Sequence, residues 1–157
     1  MAKGFKIFAP EDVPESNATV YPEPYRSLNT QRHVRRLGHF GGLRNYGVNL
    51  VRVEPGAQSS CRHAHSAQDE IVMVVDGPLT LDSDAGQETI ETGMWVAFPA
   101  GTGDAHRFIN TTDSDKSFLV IGDRTMPDTV TYPDVDMHGE VGQDGVFRFT
   151  RKNGTPY

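Results

Sequence analysis

Cysteine is nearly missing from this 157-residue chain: Cys61 stands alone, and a single thiol closes no internal disulfide. Long apolar runs are missing too. None approaches the roughly 18 residues needed to cross a bilayer, and the opening MAKGFKIFAPEDVPES has no hydrophobic stretch of the secretory type. These absences predict a cytoplasmic protein with no membrane partner. Basic charge is in deficit, with 15 Lys and Arg against 21 Asp and Glu and a net charge of −6. A surface that tracks phosphates needs clustered positive charge, so no nucleic-acid partner is expected. The one basic cluster, Arg32, His33, Arg35 and Arg36, is too short to reverse that balance.

What the chain does contain is enough for one folded domain spanning 1–157. Hydrophobic residues make up 36% and charged residues 23%, which argues against disorder. Sixteen glycines and ten prolines are spread along the chain, as when many short elements are joined by turns. Residues 1–46 read as an extended N-terminal arm, because Pro10, Pro14, Pro22 and Pro24 interrupt any helix drawn there. GFKIF at 4–8 is a plausible strand within it. Such an arm has little core of its own, and ordering it costs roughly 1 to 2 kcal/mol of backbone entropy per residue; packing on a second copy would recover that, so a homodimer is expected.

From Gly47 to residue 123 lies the core, in which short apolar runs alternate with turn signals. The runs are VNLVRV (48–53), EIVMVV (70–75), PLTLD (78–82), ETIET (88–92), MWVAF (94–98), HRFIN (106–110) and SFLVIG (117–122). Seven short strands with no helical pattern between them predict an all-β sandwich or barrel. Residues 124–157 form a C-terminal extension rich in proline, aspartate and glycine, with FRFTR (147–151) as a further strand.

The chemistry concentrates in CRHAHSAQDE. His63 and His65 stand two apart, so on a strand both imidazoles face one side. Glu70 follows after room for a turn, and His106 opens a later strand that a closed barrel would bring alongside. Three imidazoles and a carboxylate at such spacings point to a metal site. His33, His39 and His138 have no such relation and stay outside it. Strand parity places Cys61 with the first pair and Phe108 with His106, making both candidates for the pocket wall beside Val72 and Val74. Arg52 and Arg62 are candidate anchors for an anion. Trp95, Phe98 and Phe118 read as core.

These residues carry a resemblance to the cupin superfamily. Its first motif reads here as Gly56, His63, His65, Glu70 and Gly77, and its second as Gly93, Pro99, Gly101, His106 and Asn110. The second departs from the usual spacing: Thr102, Gly103, Asp104 and Ala105 separate the last glycine from His106, where two residues are usual. VRRLG, FPAGTGDAH, IGDR and TYPDVDM extend the likeness to small bacterial single-domain cupins, some of which carry a sugar-phosphate isomerase label.

The resemblance implies a double-stranded β-helix, or jelly-roll, barrel. It implies His63, His65, Glu70 and His106 as ligands of one divalent transition metal ion (Mn, Fe, Co, Ni, Cu or Zn), with Gly77 and Asn110 structural. The long turn is expected at the cavity mouth, where Asp104 would meet the small-molecule ligand. The function expected is that of a metal-dependent enzyme acting on a small oxygen-rich metabolite by isomerase- or dioxygenase-type chemistry. The alternative is a binding or sensing domain that holds a ligand without turning it over.

Overall fold

The structure, a computed structural model, describes residues 4–157. Thirteen strands lie among them: β1 (Glu15–Ser16), β2 (Arg32–Arg35), β3 (Tyr46–Val53), β4 (Ala64–His65), β5 (Glu70–Asp76), β6 (Leu79–Ser83), β7 (Gly86–Ile90), β8 (Trp95–Phe98), β9 (His106–Ile109), β10 (Lys116–Asp123), β11 (Asp128–Tyr132), β12 (Met137–Val141) and β13 (Phe147–Thr150). A five-residue helix, α1 (Leu37–Gly41), and two single 3-10 turns are the helical content. No helix among the described residues is long and apolar enough to cross a membrane.

Three antiparallel sheets make up a β-barrel of jelly-roll type. Six strands run in the order β1-β2-β3-β10-β5-β8, four in the order β13-β12-β11-β4 and three in the order β7-β6-β9. Alternation decides which face each strand buries. On β3, Val51 and Val53 are buried while Arg52 reaches out to Glu15 and Asp115, each at 2.7 Å. On β5, Val72 and Val74 face inward, and Ile71 and Val75 are exposed on the other side. Glu70 shares the parity of the two inward valines. The main core gathers these residues with Leu79, Leu81, Phe108 and Phe118; a second cluster holds Tyr21, Cys61, Val130, Tyr132 and Met137.

All seven core strands read from the sequence are present. GFKIF is not a strand: Phe8 packs edge-on against Phe40 at 5.0 Å between ring centroids, and Lys6 donates to the Phe40 carbonyl at 3.0 Å. With no neighbouring strand to complete its ladder, the segment is held by side chains instead. The arm also supplies β2, which pairs with β3, and buries Val13, Tyr21, Asn29 and Val34 on its own barrel. Trp95 lies outside the core at 56% exposure, because it sits on the outward parity of the edge strand β8. Beyond β13, which matches FRFTR, the C-terminal segment adds β11 and β12, and β11 pairs with β4 next to the candidate site.

Two residues of the sequence motifs are structural, as expected. A Cβ on Gly77 would sit 2.8 Å from the Val74 side chain and 3.0 Å from the Thr92 nitrogen, so only glycine fits. Asn110 is fully buried and clamps a turn. Its amide donates to the carbonyls of Val53 (2.9 Å) and Ser114 (2.8 Å), and its oxygen accepts from the nitrogen (3.0 Å) and hydroxyl (2.7 Å) of Thr112. Asn110→Ala is expected to lower unfolding stability by about 2 to 4 kcal/mol, since buried partners are left unsatisfied. Urea denaturation gives the number, and a loss under about 0.5 kcal/mol, the range of an ordinary surface substitution, would contradict the clamp.

Candidate metal centre

The site is assembled by backbone pairing. An isolated antiparallel bridge joins His63 to His106, the amide of each donating to the carbonyl of the other at 3.1 and 2.9 Å. That exchange brings the two imidazoles to 5.0 Å between centroids. Glu70, the first residue of β5, lies opposite Phe98 on β8 and Gly122 on β10. Phe98 in turn stacks flat on the His106 ring at 3.5 Å. The turn before His106 needs two left-handed glycines, Gly101 and Gly103 (φ 74° and 76°). It is tied down by Gly101 donating to the His65 carbonyl (3.0 Å) and by Ala100 donating to the Asp69 carboxylate (2.7 Å).

One donor atom from each of His63, Glu70 and His106 falls within 4.8 Å of the other two. Glu70 Oε2 is 3.3 Å from His106 Nε2 and 4.0 Å from His63 Nε2. His65 stands beside this trio, its ring 5.2 Å from that of His63. The Nδ1 atoms of two histidines are already engaged: His63 Nδ1 lies 3.0 Å from the Cys61 carbonyl, and His65 Nδ1 is 2.6 Å from Asp128 Oδ2. Each therefore keeps its Nε2 lone pair for another partner, the arrangement a metal-binding imidazole requires. His106 Nδ1 is buried without a hydrogen-bond partner among the described residues.

The local charge agrees with this chemistry. Burial holds the His63 imidazole neutral, with a pKa lowered to about 4 against the opposing pull of Glu70. Burial would raise the Glu70 carboxyl, but the hydrogen bond from His106 and the three imidazoles outweigh it and bring the pKa to about 2. A neutral His63 imidazole beside an ionised Glu70 carboxylate suits a divalent transition metal. A cavity of about 260 Å³ opens on the site, with apolar walls from Val72, Phe108 and Phe118.

Comparison with known proteins agrees with the geometry. A family model described as a cupin domain matches residues 49–122. A solved structure from Silicibacter pomeroyi, named a sugar phosphate isomerase from a cupin superfamily, is 43% identical, covers 97% of this chain and 96% of its own, and superposes with a TM-score of 0.91. The chain belongs to the cupin superfamily. A second cupin-fold structure, from Acidithiobacillus ferrooxidans and provisionally named a sugar phosphate isomerase, is 31% identical over 83% of each chain with a TM-score of 0.72. A polyketide cyclase from Streptomyces resistomycificus shares the fold alone, at 21% identity and a TM-score of 0.63, over 78% of this chain and 82% of its own. Among curated proteins, none matches this chain.

Other residues singled out from the sequence fall in different places on the cupin barrel. Phe108 lines the cavity, as does Val72, whereas Val74 lies deeper in the core. Cys61 does not line it. The chain bends at 59–62 instead of continuing a strand, so parity fails there, and the thiol packs into the tyrosine cluster with Asn29 Nδ2 3.7 Å away. Asp104 turns to the neighbouring loop, where it accepts from the Asp84 amide at 3.1 Å, and borders a narrow crevice that His106 also lines. Arg52 and Arg62 are both tied up in ion pairs, Arg52 with Glu15 and Asp115 and Arg62 with Asp84 and Asp134.

Three contributors had no sequence signal of their own. Asp128 is buried at the start of β11, and its other oxygen accepts from Ser66 N (3.1 Å), Ser66 Oγ (3.1 Å) and Ala67 N (2.8 Å). Tyr132 stacks on His63 at 5.9 Å and meets Tyr21 edge-on, also at 5.9 Å; burial pushes both phenols upward, and the neighbouring Tyr21 raises that of Tyr132 further. All three are separated from the histidine motif by tens of residues, in segments whose composition reads as loop.

Proposed function

We propose that this cupin is a metal-dependent enzyme acting on a small, oxygen-rich metabolite, with isomerase-type chemistry on a phosphorylated sugar as the working reading. The observation that carries it is the trio of donor atoms from His63, Glu70 and His106 within 4.8 Å, opening on a cavity of about 260 Å³. The name of the Silicibacter pomeroyi structure supports the substrate class. His63, His65, Glu70 and His106 would hold the ion, which when bound supplies a Lewis acid for substrate oxygens. The chain's own residues do the rest. Asp128 fixes the His65 ring, the apolar wall of Val72, Phe108 and Phe118 excludes water, and Tyr132, its phenol kept protonated by burial, stacks on the His63 ring.

The test is elemental analysis of protein purified without added metal, followed by incubation of the loaded protein with sugar phosphates, keto acids and catechols. Stoichiometric metal and turnover of a sugar phosphate are expected. Thermal stabilisation by a ligand with no turnover of any would replace the enzyme with the binding or sensing domain. We also propose a homodimer, supported by apolar side chains left exposed on the arm, Ile7 at 85%, Val20 at 64% and Leu28 at 60%. Sedimentation at micromolar concentration should return about twice the 17.3 kDa chain mass. A monomer would overturn it.

A further inference from the structure

The basic cluster of the arm separates into two kinds of residue once β2 is in place. His33 and Arg35 point to the outer face and meet carboxylates there: His33 Nε2 is 2.7 Å from Glu54, and Arg35 Nε is 3.7 Å from Glu15. Arg32 has the parity of buried Val34, and it lines the cavity that holds His63, Glu70 and His106. Arg36, one residue past the end of β2, lines the same cavity. Both also border an adjoining opening of about 350 Å³ that shares Asn49, Glu70 and Val120 with the first. Among the described residues, neither guanidinium has a hydrogen bond or an ion pair, and the Asn49 amide has no hydrogen bond either.

In a chain with six more acidic than basic residues, Arg32 is half-buried without a carboxylate of its own, a costly arrangement, and Arg36 stands beside it at the exposed rim. Burial lowers the Arg32 pKa, and the one carboxylate that acts on it, Glu70, is already engaged by His106. The other two arginines considered as anion anchors, Arg52 and Arg62, have two acidic partners each. Arg32 and Arg36 thus bring unpaired donors together where the cavity opens, and two guanidinium groups there suit a mobile counter-charge. A guanidinium presents a planar fork of donors that fits an oxyanion in two places at once, and a phosphate ester carries nearly the two negative charges that two arginines balance.

We propose that Arg32 and Arg36 form an anion subsite that takes the phosphate group of the substrate, leaving its sugar oxygens to reach the His63, Glu70 and His106 end of the cavity. The proposal deepens the function argued above and rests on it for the identity of the substrate, but the subsite itself exists without the metal. Asn49 would contribute a further donor to the same group.

Inorganic phosphate, titrated by calorimetry into protein stripped of metal with a chelator, tests the subsite alone. Saturable binding is expected, weakened about tenfold or more in Arg32→Gln and in Arg36→Gln, each of which loses a charge-assisted contact. Arg35→Gln removes the same charge from the outer face and should bind as the unaltered protein does. His63→Ala should also retain phosphate binding while failing to hold metal, which separates this proposal from the metal reading. Circular dichroism confirms folding of each variant, and Arg36, being exposed, can be replaced without disturbing the core. Absence of phosphate binding, equal binding by Arg36→Gln, or acetate bound as tightly as phosphate would each overturn the assignment, the last by making the subsite one for carboxylates.

Discussion

His65→Ala is expected to strip most of the metal from the purified protein, as are His63→Ala and His106→Ala. The three predictions stand on different geometry. His63 and His106 are locked together by a backbone bridge and share Glu70 between them, so losing either imidazole removes a donor from the compact trio. His65 lies just outside that trio, yet its Nε2 is left available by the hydrogen bond that Asp128 takes at Nδ1. Loss of a direct donor should exceed the roughly 10- to 100-fold drop in affinity that follows removal of an outer hydrogen-bonding partner. Glu70→Gln should have a smaller effect, because three imidazoles remain.

The other histidines are the controls. His33 is held by Glu54 and Glu15 on the outer face, His138 lies 3.4 Å from Glu140, and His39 is exposed. Alanine at any of these should leave metal content unchanged by elemental analysis. Full stoichiometry in the His65 variant would refute its place among the ligands and reduce the site to the three residues whose donor atoms already meet.

Asp128→Ala is expected to be the most destabilising single change near the site, at about 2 to 4 kcal/mol. Its side chain is wholly buried and receives four hydrogen bonds, one from His65 Nδ1 and three from Ser66 and Ala67. Removing it leaves those donors unsatisfied in a dry environment. Asp128→Asn separates packing from chemistry, since it preserves the shape but replaces one acceptor oxygen with a donor nitrogen. The asparagine variant should fold with a smaller loss yet bind metal about 10- to 100-fold more weakly, because the His65 tautomer is no longer imposed. Chemical denaturation reads the first effect and competition with a chelator the second. Unchanged metal affinity in Asp128→Asn would show that the His65–Asp128 pair serves the fold alone.

Strand positions between 47 and 123 were legible because each apolar run is short, alternates in burial and ends in a turn whose residues have a local reason to be there. The second residue of the His-x-His pair and the inward carboxylate of β5 followed from the same period-two rule. The rule failed where the chain stops being a strand. At 59–62 it bends, so Cys61 faces the tyrosine cluster and not the cavity. At 4–8 Phe8 packs on Phe40 of α1 while Phe5 and Ile7 stay exposed, because a strand without a partner has no ladder to complete it.

The sequence by itself determined the all-β class and the core strands, and it singled out His63, Glu70 and His106, whose donor atoms the fold brings within 4.8 Å, together with His65 beside them, since these readings depend on side-chain type and spacing along a few residues. Only the tertiary structure decided which arginines are neutralised and which are left facing the cavity, and that Asp128, 63 residues after His65, would orient its ring. Those contacts join segments far apart in the chain through strand pairing and closure of the barrel. Neither arm nor tail carries a local pattern that specifies its partner: β2 finds β3, and β11 finds β4, only because the barrel presents an unpaired edge and an apolar face that their side chains can cover.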